Sequence, residues 1–196
     1  MIELVFCTTN NHKLLEVSKM LDLGNLVLRS LEDIAWKLPI HEVSDSFDGN
    51  AFLKAATIFK STGKNVIADD SGLEVDALNG APGVISARYA GPDATDSQNR
   101  AKLLEMLKGE ENRSARFRTS ICSIIEGQVN FYHGLIEGDI LTQEKGAKGF
   151  GYDAIFKPMG YDLSFAEMNP EEKNLISHRA IAIANLAQAL RQRFGG

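Results

Sequence analysis

The chain has 196 residues, and its 21 Lys and Arg side chains against 26 Asp and Glu give a formal net charge of −5 at pH 7. This acidic balance argues against a protein that binds duplex DNA or RNA, because such binding needs a basic face that neutralises phosphates. No apolar run approaches the roughly 18 residues of a membrane span. A chain of this length is most simply one domain, or two lobes sharing a core, and we expect one domain of two lobes over residues 1–196. We also expect a reduced, cytoplasmic protein without a nucleic-acid or membrane partner.

The first elements form a strand–loop–helix unit. Residues 2–7 are a compact strand candidate, and apolar residues at spacings of three and four from Leu14 to Leu21 predict a helix with one apolar face. Asn10 or Asn11 is expected to cap this helix. Such a unit directs backbone N–H groups and the positive end of the helix dipole towards whatever lies above the strand.

A second helix is predicted from about Asn50 to Gly63, with Phe52 and Phe59 on its apolar face. The short apolar run 66–68 follows it and predicts a buried strand. Both cysteines of the chain also lie in apolar runs, so we interpret them as small core residues rather than as a disulfide.

The second half of the chain continues the alternation of helices and strands. We predict a helix over 96–108, an antiparallel hairpin with one solvated face over 115–125 and 129–135, a strand near 154–156, and a last helix from about Ser177. Together the elements predict an α/β fold, in which a mixed central sheet is flanked by helices and two lobes enclose the active cleft.

Two adjacent carboxylates, Asp69 and Asp70, follow the predicted strand and precede Ser71 and Gly72. Burying either carboxylate is costly unless a cation or a donor compensates. Successive strand side chains point to opposite faces, so only one carboxylate faces a given cleft. The pattern fits either an Asp-rich turn or a metal ligand or general base at the carboxyl end of a strand.

Lys13 and the segment 149–152 are further candidates. A cation in the first turn of a helix is unfavourable unless an anion binds beside it, and the alternative is a solvated lysine. Gly149 and Gly151 indicate that the backbone closely approaches a neighbouring group. The aromatic rings of Phe150 and Tyr152 beside them either stack on a nucleobase or pack in the core.

The helical entry at His178 and Arg179 places two donors where an acceptor-rich ligand could bind, although an ordinary solvated helix start has the same composition. Lys54 and Lys173 are equally ambiguous by themselves. The phosphate-binding pattern G-x-x-x-x-G-K-[ST], a dinucleotide-binding glycine pattern, a G-x-S-x-G nucleophile turn and zinc-ligand spacing do not occur in the sequence.

Taken together, these segments resemble the inosine triphosphate pyrophosphatase family, whose members hydrolyse noncanonical purine nucleoside triphosphates. The resemblance follows the family's order along nearly the whole chain. The matching segments are TTNNHKLLEV at 8–17, FDGNAFLKA at 47–55, ADDSGLEVDALNGAPGVISARYAG at 68–91, KGFGYDAIF at 148–156 and FAEMNPEEKNLISHRAIA at 165–182.

The resemblance implies Mg²⁺-dependent hydrolysis of ITP, dITP or XTP to the monophosphate and pyrophosphate by a homodimer. It implies that Asp70 is the general base and a magnesium ligand, with Glu42 as the second metal ligand. The substrate-binding residues that it implies are Thr8, Thr9, Asn10, Asn11, His12 and Lys13 for the triphosphate, Ser71, the base-pocket wall of Phe150, Gly151, Tyr152 and Asp153, and the nucleotide-recognising Lys173, His178 and Arg179.

The sequence departs from the family at one position. Family members usually carry Glu before the Asn of the second helix, whereas this chain has Gly49 there and Asp48 one residue earlier. A metal or water contact made by that Glu would come from Asp48 or be lost. This departure supports the alternative of a nucleotide-binding regulatory protein without turnover. A sugar-phosphate or generic phosphatase is a third hypothesis, but it leaves the base-sized aromatic pocket unused.

Overall fold

The computed structural model describes residues 2–21, 24 and 26–194, without the side chains of Asn11 and His12. Within these ranges no helix is long and apolar enough to cross a membrane. The strands are β1 (Ile2–Phe6), β2 (Leu26–Arg29), β3 (Val66–Val75), β4 (Ser114–Ile125), β5 (Gln128–Ile140) and β6 (Phe156–Pro158), and the helices are α1 (Asn11–Met20), α2 (Phe47–Thr62), α3 (Asp96–Met106), α4 (Pro170–Ile176) and α5 (His178–Phe194).

The six strands form one mixed sheet in the order β2-β1-β3-β4-β5-β6. Strand β1 is parallel to both β2 and β3, with Val5 opposite Val66, whereas β5 and β6 are antiparallel. Parallel pairs need helical crossovers, and α1 and α2 supply them. The predicted α/β class, a mixed sheet flanked by helices, is therefore confirmed.

The described part of the chain forms two compact units. The first unit takes Met1–Asp70, Thr119–Gly134 and Ala180–Gly196, and the second takes Ser71–Arg118 and Leu135–Arg179. Each unit has its own apolar core. The chain passes from the first unit to the second within β3, so that Asp70 and Ser71 are consecutive residues of one strand.

Alternation along the strands of the first unit determines which helix each side chain meets. Phe6 and Ile67 pack in a cluster with residues of α1 and α5, whereas Val5, Val66 and Ala68 pack in a cluster with residues of α2. Because successive strand residues point to opposite faces, the face of residue 67 continues at residue 69, and the face of residue 68 continues at residue 70. The two carboxylates that follow in β3 are thereby sent to opposite faces of the strand.

The core of the second unit is built around aromatic rings. Phe117 contacts Phe156 edge-on, with ring centroids 4.6 Å apart, and both rings pack near Phe165. Leu73 and Leu103 are fully buried in the same cluster. This core supports β6 and the segment before it, where the predicted base-pocket wall lies.

Two predicted elements differ from the structure because polar residues take buried positions. Helix α2 begins at Phe47, before the predicted Asn50, and Phe52 is 39% exposed, so its assignment to the buried face was wrong. The buried face instead carries Asn50 and Lys54 among small alanines. Strand β3 continues to Val75, so the segment 69–72 is strand rather than turn.

The hairpin of β4 and β5 is confirmed, with a tight turn in which Glu126 and Gly127 both have positive φ. Its predicted solvated face exists in β5 and in the first part of β4, where Ser114 and Arg118 are exposed and Ala115 and Phe117 are buried. The rest of β4 has no solvated face, because 119–125 is buried throughout. Near the predicted strand 154–156, a short 3₁₀ helix covers Asp153–Ile155 and β6 starts only at Phe156.

Both cysteines are free and buried, as the apolar runs predicted. Burial raises the pKa of Cys7 and of Cys122 to about 12 each. Relative to the ordinary value of 9.0, this lowers the reactive thiolate fraction about a thousandfold. We expect a disulfide reagent at pH 8 to label neither thiol in the native protein and both after unfolding in guanidinium. Stoichiometric labelling of native protein would contradict the described burial.

Candidate active site

The loop before α1 is ordered by its own side chains. The Asn10 carboxamide oxygen accepts the Lys13 backbone N–H at 3.3 Å, and the Asn10 backbone N–H donates to Thr8 Oγ1 at 3.1 Å. Asn10 is therefore the residue that caps the helix, one of the two that the sequence predicted. Thr9 is exposed beside it. The predicted side-chain roles of Asn11 and His12 lie outside the described residues.

Lys13, in the first turn of α1, forms an ion pair with Asp69, with 3.0 Å between Nζ and Oδ2. The Asp69 side chain is 1% exposed and that of Lys13 is 16% exposed. The charge of Lys13 interacts unfavourably with the positive end of the helix dipole, but the buried Asp69 carboxylate holds the lysine there. Backbone amides and an ammonium group come together there, which is suitable for an anion.

Asp70 lies on the opposite side of β3, in contact with two residues of α2. Its Oδ1 is 3.3 Å from the Lys54 ammonium, and its Oδ2 accepts a hydrogen bond from the Asn50 amide at 3.1 Å. Glu42 binds the same ammonium at 2.8 Å. The Asn50 oxygen in turn accepts the Ser44 backbone N–H at 2.9 Å. The orientation of Asp70 is therefore fixed by the start of α2.

Burial controls the charge on this cluster. Desolvation raises the pKa of Asp70 above its ordinary 3.8, despite the nearby ammonium of Lys54. Burial would lower the pKa of Lys54, but the surrounding carboxylates outweigh it and hold that pKa above 10.5. Lys54 is therefore a cation at neutral pH. Asp70 is a more basic carboxylate than an exposed one, which favours a role as proton acceptor.

Sequence reasoning placed Asp70 and Glu42 in the site but omitted Asn50 and Lys54 from its site residues. A signal was present, because Asn50 and Lys54 are four residues apart and therefore share one helical face. That face is otherwise occupied by Ala51 and Ala55, and a polar pair among alanines in a buried stripe indicates a site. The larger apolar side chain of Phe52 drew the prediction to the wrong face.

Glu42 and Asp70 are suitable ligands for a magnesium ion that is shared with a phosphate. Among the described residues, no group of three His, Cys, Asp or Glu side chains could hold a metal by itself. Mg²⁺, however, usually keeps several waters and takes one or two carboxylates together with substrate phosphates. Two carboxylates that converge on one ammonium form such an incomplete set of hard oxygen donors. The residues therefore fit magnesium bound jointly with a ligand.

The departure at Gly49 has a steric basis. A Cβ at Gly49 would lie 2.0 Å from Ser44 Oγ and 2.7 Å from Ser44 Cβ. Ser46, the N-cap of α2, accepts the Gly49 N–H at 3.1 Å. The candidate replacement, Asp48, is exposed and binds His133 at 2.8 Å. The turn around Ser44 thus fills the space that a side chain at position 49 would need.

We expect Gly49→Glu to destabilise the protein by about 1–3 kcal/mol, because the turn at Ser44 must shift to admit the new side chain. Urea unfolding measures this cost. The double variant Gly49→Glu/Ser44→Gly should recover part of it. Ser44→Gly removes the two closest of the three clashing atoms and keeps the backbone N–H that bonds Asn50, whereas Ser46 Oγ, 2.9 Å from the Cβ position, stays. A single variant as stable as the wild type would refute the close packing.

In the second unit, the predicted base-pocket residues surround Asp153. Its Oδ2 accepts from the Lys173 ammonium at 2.7 Å and from the Phe150 backbone N–H at 2.9 Å. Both side chains of this ion pair are less than a tenth exposed. The Lys173 ammonium also lies 4.8 Å from the centre of the Phe150 ring. Position 149 requires glycine for two reasons: its φ is positive, and a Cβ there would lie 2.1 Å from Asp153 Oδ2.

The start of α5 adds His178 and Arg179, both nearly fully buried. The His178 ring stacks on Phe117 with centroids 4.7 Å apart. Arg179 Nη2 lies 3.5 Å from Ser71 Oγ, and the guanidinium carbon lies 5.7 Å from the Phe150 ring centre. The structure therefore brings together five of the predicted residues of this unit in addition to Asp153: Ser71, Phe150, Lys173, His178 and Arg179.

Tyr152 and Gly151 take supporting positions. The Tyr152 ring packs in the core, and its hydroxyl donates to the Ser86 carbonyl at 2.7 Å. Of the two alternatives for the aromatic rings, core packing applies to Tyr152. The Phe150 ring is only partly buried and stays the candidate for stacking on a base. Gly151 is fixed through its backbone by residues of α3.

A mixed α/β sheet that carries a buried carboxylate–lysine cluster suits the metal-assisted hydrolysis of phosphate compounds. The chain belongs to the Ham1 family, whose sequence profile matches residues 4–189. It is 46% identical to the dITP/XTP pyrophosphatase of Christiangramia forsetii, across 96% of this chain and 99% of that one. It is 47% identical to the dITP/XTP pyrophosphatase of Porphyromonas gingivalis, across 97% and 98%. The structure of a HAM1 protein from Coxiella burnetii superposes with a TM-score of 0.92 at 38% identity, covering 98% of this chain and all of that one.

Proposed function

We propose that this protein is a nucleoside triphosphate pyrophosphatase that converts noncanonical purine nucleotides (ITP, dITP and XTP) to the monophosphate and pyrophosphate. The observation that carries the proposal is the buried Asp70 carboxylate, which Lys54 and Asn50 orient and which Ser71 follows directly in the chain. The relatives described above are named for this activity towards dITP and XTP. Their identity to this chain extends over nearly its full length.

The first unit supplies the groups that handle the triphosphate. The amides at the start of α1 and the Lys13 ammonium present positive charge to phosphate oxygens. Near them, the three carboxylates of Glu42, Asp69 and Asp70 exceed the two ammonium groups of Lys13 and Lys54 by one charge. This cluster therefore attracts a divalent cation together with the polyphosphate.

Asp70 acts as the general base. Its carboxylate takes a proton from a water molecule whose oxygen attacks the α-phosphorus. The bond from that phosphorus to the oxygen bridging the α- and β-phosphates breaks, and pyrophosphate leaves with the electron pair. In the metal-free protein burial raises the pKa of Asp70, and the Lys54 ammonium and the Asn50 amide hold the carboxylate in place.

Glu42 and Asp70 are the residues that would hold Mg²⁺. When bound, the ion screens the negative charge that develops on the phosphate oxygens. Lys13 and the α1 amides stabilise the same charge from the protein side. We therefore expect turnover to require magnesium and to disappear with EDTA.

The second unit supplies base recognition. The Phe150 ring offers a face for stacking on the purine. Lys173, His178 and Arg179 carry buried N–H donors that suit the 6-oxo oxygen of hypoxanthine or xanthine. The amino group of adenine would leave such donors unpaired, at about 1–3 kcal/mol each. This free energy corresponds to roughly tenfold to a hundredfold discrimination against adenine nucleotides.

A substrate panel tests the proposal. Purified protein with Mg²⁺ is expected to release pyrophosphate from dITP, ITP and XTP far faster than from dATP, and EDTA should abolish the release. Tight ITP binding with undetectable turnover at saturating Mg²⁺ would favour the regulatory alternative. Faster hydrolysis of a simple phosphomonoester than of ITP would favour a generic phosphatase. Either result would reject the proposed activity.

The family resemblance also supports a homodimer. Light scattering after gel filtration should give twice the chain mass of 21.5 kDa. A mass of one chain at micromolar concentration would contradict the dimer without affecting the proposed chemistry.

A further inference from the structure

The Phe150 segment has little regular secondary structure, yet its backbone is closely fixed. Gly149 and Gly151 have φ of +75° and +59°, conformations that other residues rarely adopt. Phe150 lies between them. Its ring is partly buried, whereas the other two aromatic rings of the segment 148–156 are buried in the core. The position of this ring therefore depends on what holds the backbone on either side of it.

Helix α3 holds both polar backbone groups of Gly151. Asp96 Oδ2 accepts the Gly151 N–H at 2.6 Å, and Arg100 Nη1 donates to the Gly151 carbonyl at 2.8 Å. The two side chains are four residues apart and thus lie on one face of the helix. We call Asp96 and Arg100 the α3 clamp.

The clamp is itself anchored. The Arg100 guanidinium also binds Glu144 through two hydrogen bonds of 2.9 and 3.1 Å, a bidentate geometry that fixes the plane of the fork. Helix α3 begins with a capping box of Thr95 and Gln98. Further along, the buried Asn99 bonds the backbone of Ala87 and Ala90. The clamp therefore projects from a rigid helix.

Peptide planarity transmits the Asp96 contact to Phe150, while Arg100 holds the next peptide plane through the Gly151 carbonyl. The Gly151 N–H belongs to the plane that contains the Phe150 Cα and carbonyl. The Phe150 N–H belongs to the preceding plane and donates to Asp153 at 2.9 Å. Both planes that meet at the Phe150 Cα are thus held by carboxylates, one from α3 and one from the segment itself. Together they fix the direction in which the ring leaves the backbone.

We propose that Asp96 and Arg100 are positioning residues for base recognition, which set the place of the Phe150 ring against which the purine stacks. This role rests on the proposed function, because it assumes that the Phe150 ring contacts the base. It predicts that loosening the clamp weakens binding of the base while the triphosphate groups bind as before. A clamp that only stabilised the fold would affect both parts of the substrate equally.

The test compares Asp96→Ala with Asp96→Asn, which keeps an oxygen that can accept the Gly151 N–H. Glu105→Ala is the matched control, since Glu105 is exposed on the same helix and pairs only loosely with Lys108. Calorimetric titration with inosine monophosphate reports the base-containing part of the substrate. Inhibition by pyrophosphate reports the phosphate part.

We expect Asp96→Ala to weaken inosine monophosphate binding and to raise the KM for dITP about tenfold each, the order of one charge-assisted hydrogen bond. The kcat and the pyrophosphate inhibition of Asp96→Ala should stay near the wild-type values. The Glu105→Ala control should keep the wild-type preference for dITP over dATP. Asp96→Asn should recover most of the lost binding. Arg100→Met should show the same loss of binding as Asp96→Ala.

Two results would overturn the clamp while leaving the proposed function intact. In the first, wild type hydrolyses dITP but Asp96→Ala and Arg100→Met bind inosine monophosphate normally. In the second, monophosphate and pyrophosphate binding fall by the same factor, which indicates a general structural defect. A wild type that neither hydrolyses dITP nor binds inosine monophosphate would overturn both.

Discussion

Replacing Asp70 with Asn is expected to lower the kcat for dITP by about a hundredfold to ten-thousandfold, the usual contribution of a general base. The carboxamide keeps the shape of the side chain and can still accept a hydrogen bond from Asn50 or Lys54. It cannot take a proton from water at neutral pH. Pyrophosphate release under saturating dITP and Mg²⁺ measures the effect.

The same variant should be no less stable than wild type in EDTA at neutral pH. Burial raises the pKa of Asp70, so the folded protein binds the proton more tightly than the unfolded chain does. The contribution of Asp70 to the free energy of unfolding is therefore greatest below the ordinary pKa of 3.8. This stabilising contribution declines as the pH rises through the raised pKa of Asp70 in the folded protein. The neutral Asn lacks this penalty of a buried charge.

Asp48→Asn is the matched control for the loss of a carboxylate. Asp48 is exposed and bound to His133, so its replacement should change kcat less than threefold, within the range of ordinary surface substitutions. Near-normal turnover by Asp70→Asn would show that another group is the base. Loss of activity in Asp48→Asn would mean that Asp48 performs the role of the family's missing Glu.

Replacing Lys173 with Met is expected to lower the free energy of unfolding by about 3–5 kcal/mol, because it leaves the Asp153 carboxylate buried without this cation. Urea unfolding at pH 7 measures the loss. Both partners are less than a tenth exposed, so solvent screens the pair poorly. The apolar stem of Met preserves most of the packing against the neighbouring phenylalanine rings.

The double variant Lys173→Met/Asp153→Asn should recover part of that stability, since it removes the buried charge as well as its partner. Lys108→Met, on an exposed side chain, should unfold at nearly the wild-type urea concentration. A Lys173→Met protein as stable as the control would show that the pair with Asp153 contributes nothing to the fold.

The sequence predicted the fold where apolar periodicity and the burial of side chains coincide. Strand β1, helix α1 with its Asn10 cap, and helix α5 follow such patterns and lie where the sequence places them. The patterns failed where a buried face is polar, as in α2. There Asn50 and Lys54 are buried because they hold Asp70, whereas hydrophobicity alone favours the exposed Phe52.

Most charged residues of the candidate site were predictable, with Lys54 as the exception, but their pairing was not. Asp69 and Asp70 were recognisable as adjacent carboxylates, yet composition also allowed an Asp-rich turn. Only the continuation of β3 through them shows that alternation sends one towards Lys13 and the other towards Lys54. The contacts of Asp96 with Gly151 join residues 55 positions apart, and no local spacing indicates them.

The position of bond cleavage tests the central claim most directly. Wild-type protein is allowed to hydrolyse dITP in water enriched in oxygen-18 with Mg²⁺, and the products are analysed by mass spectrometry and phosphorus NMR. Attack on the α-phosphorus predicts one heavy oxygen in the nucleoside monophosphate and none in pyrophosphate. Heavy oxygen in pyrophosphate, or release of orthophosphate with the diphosphate, would contradict the account.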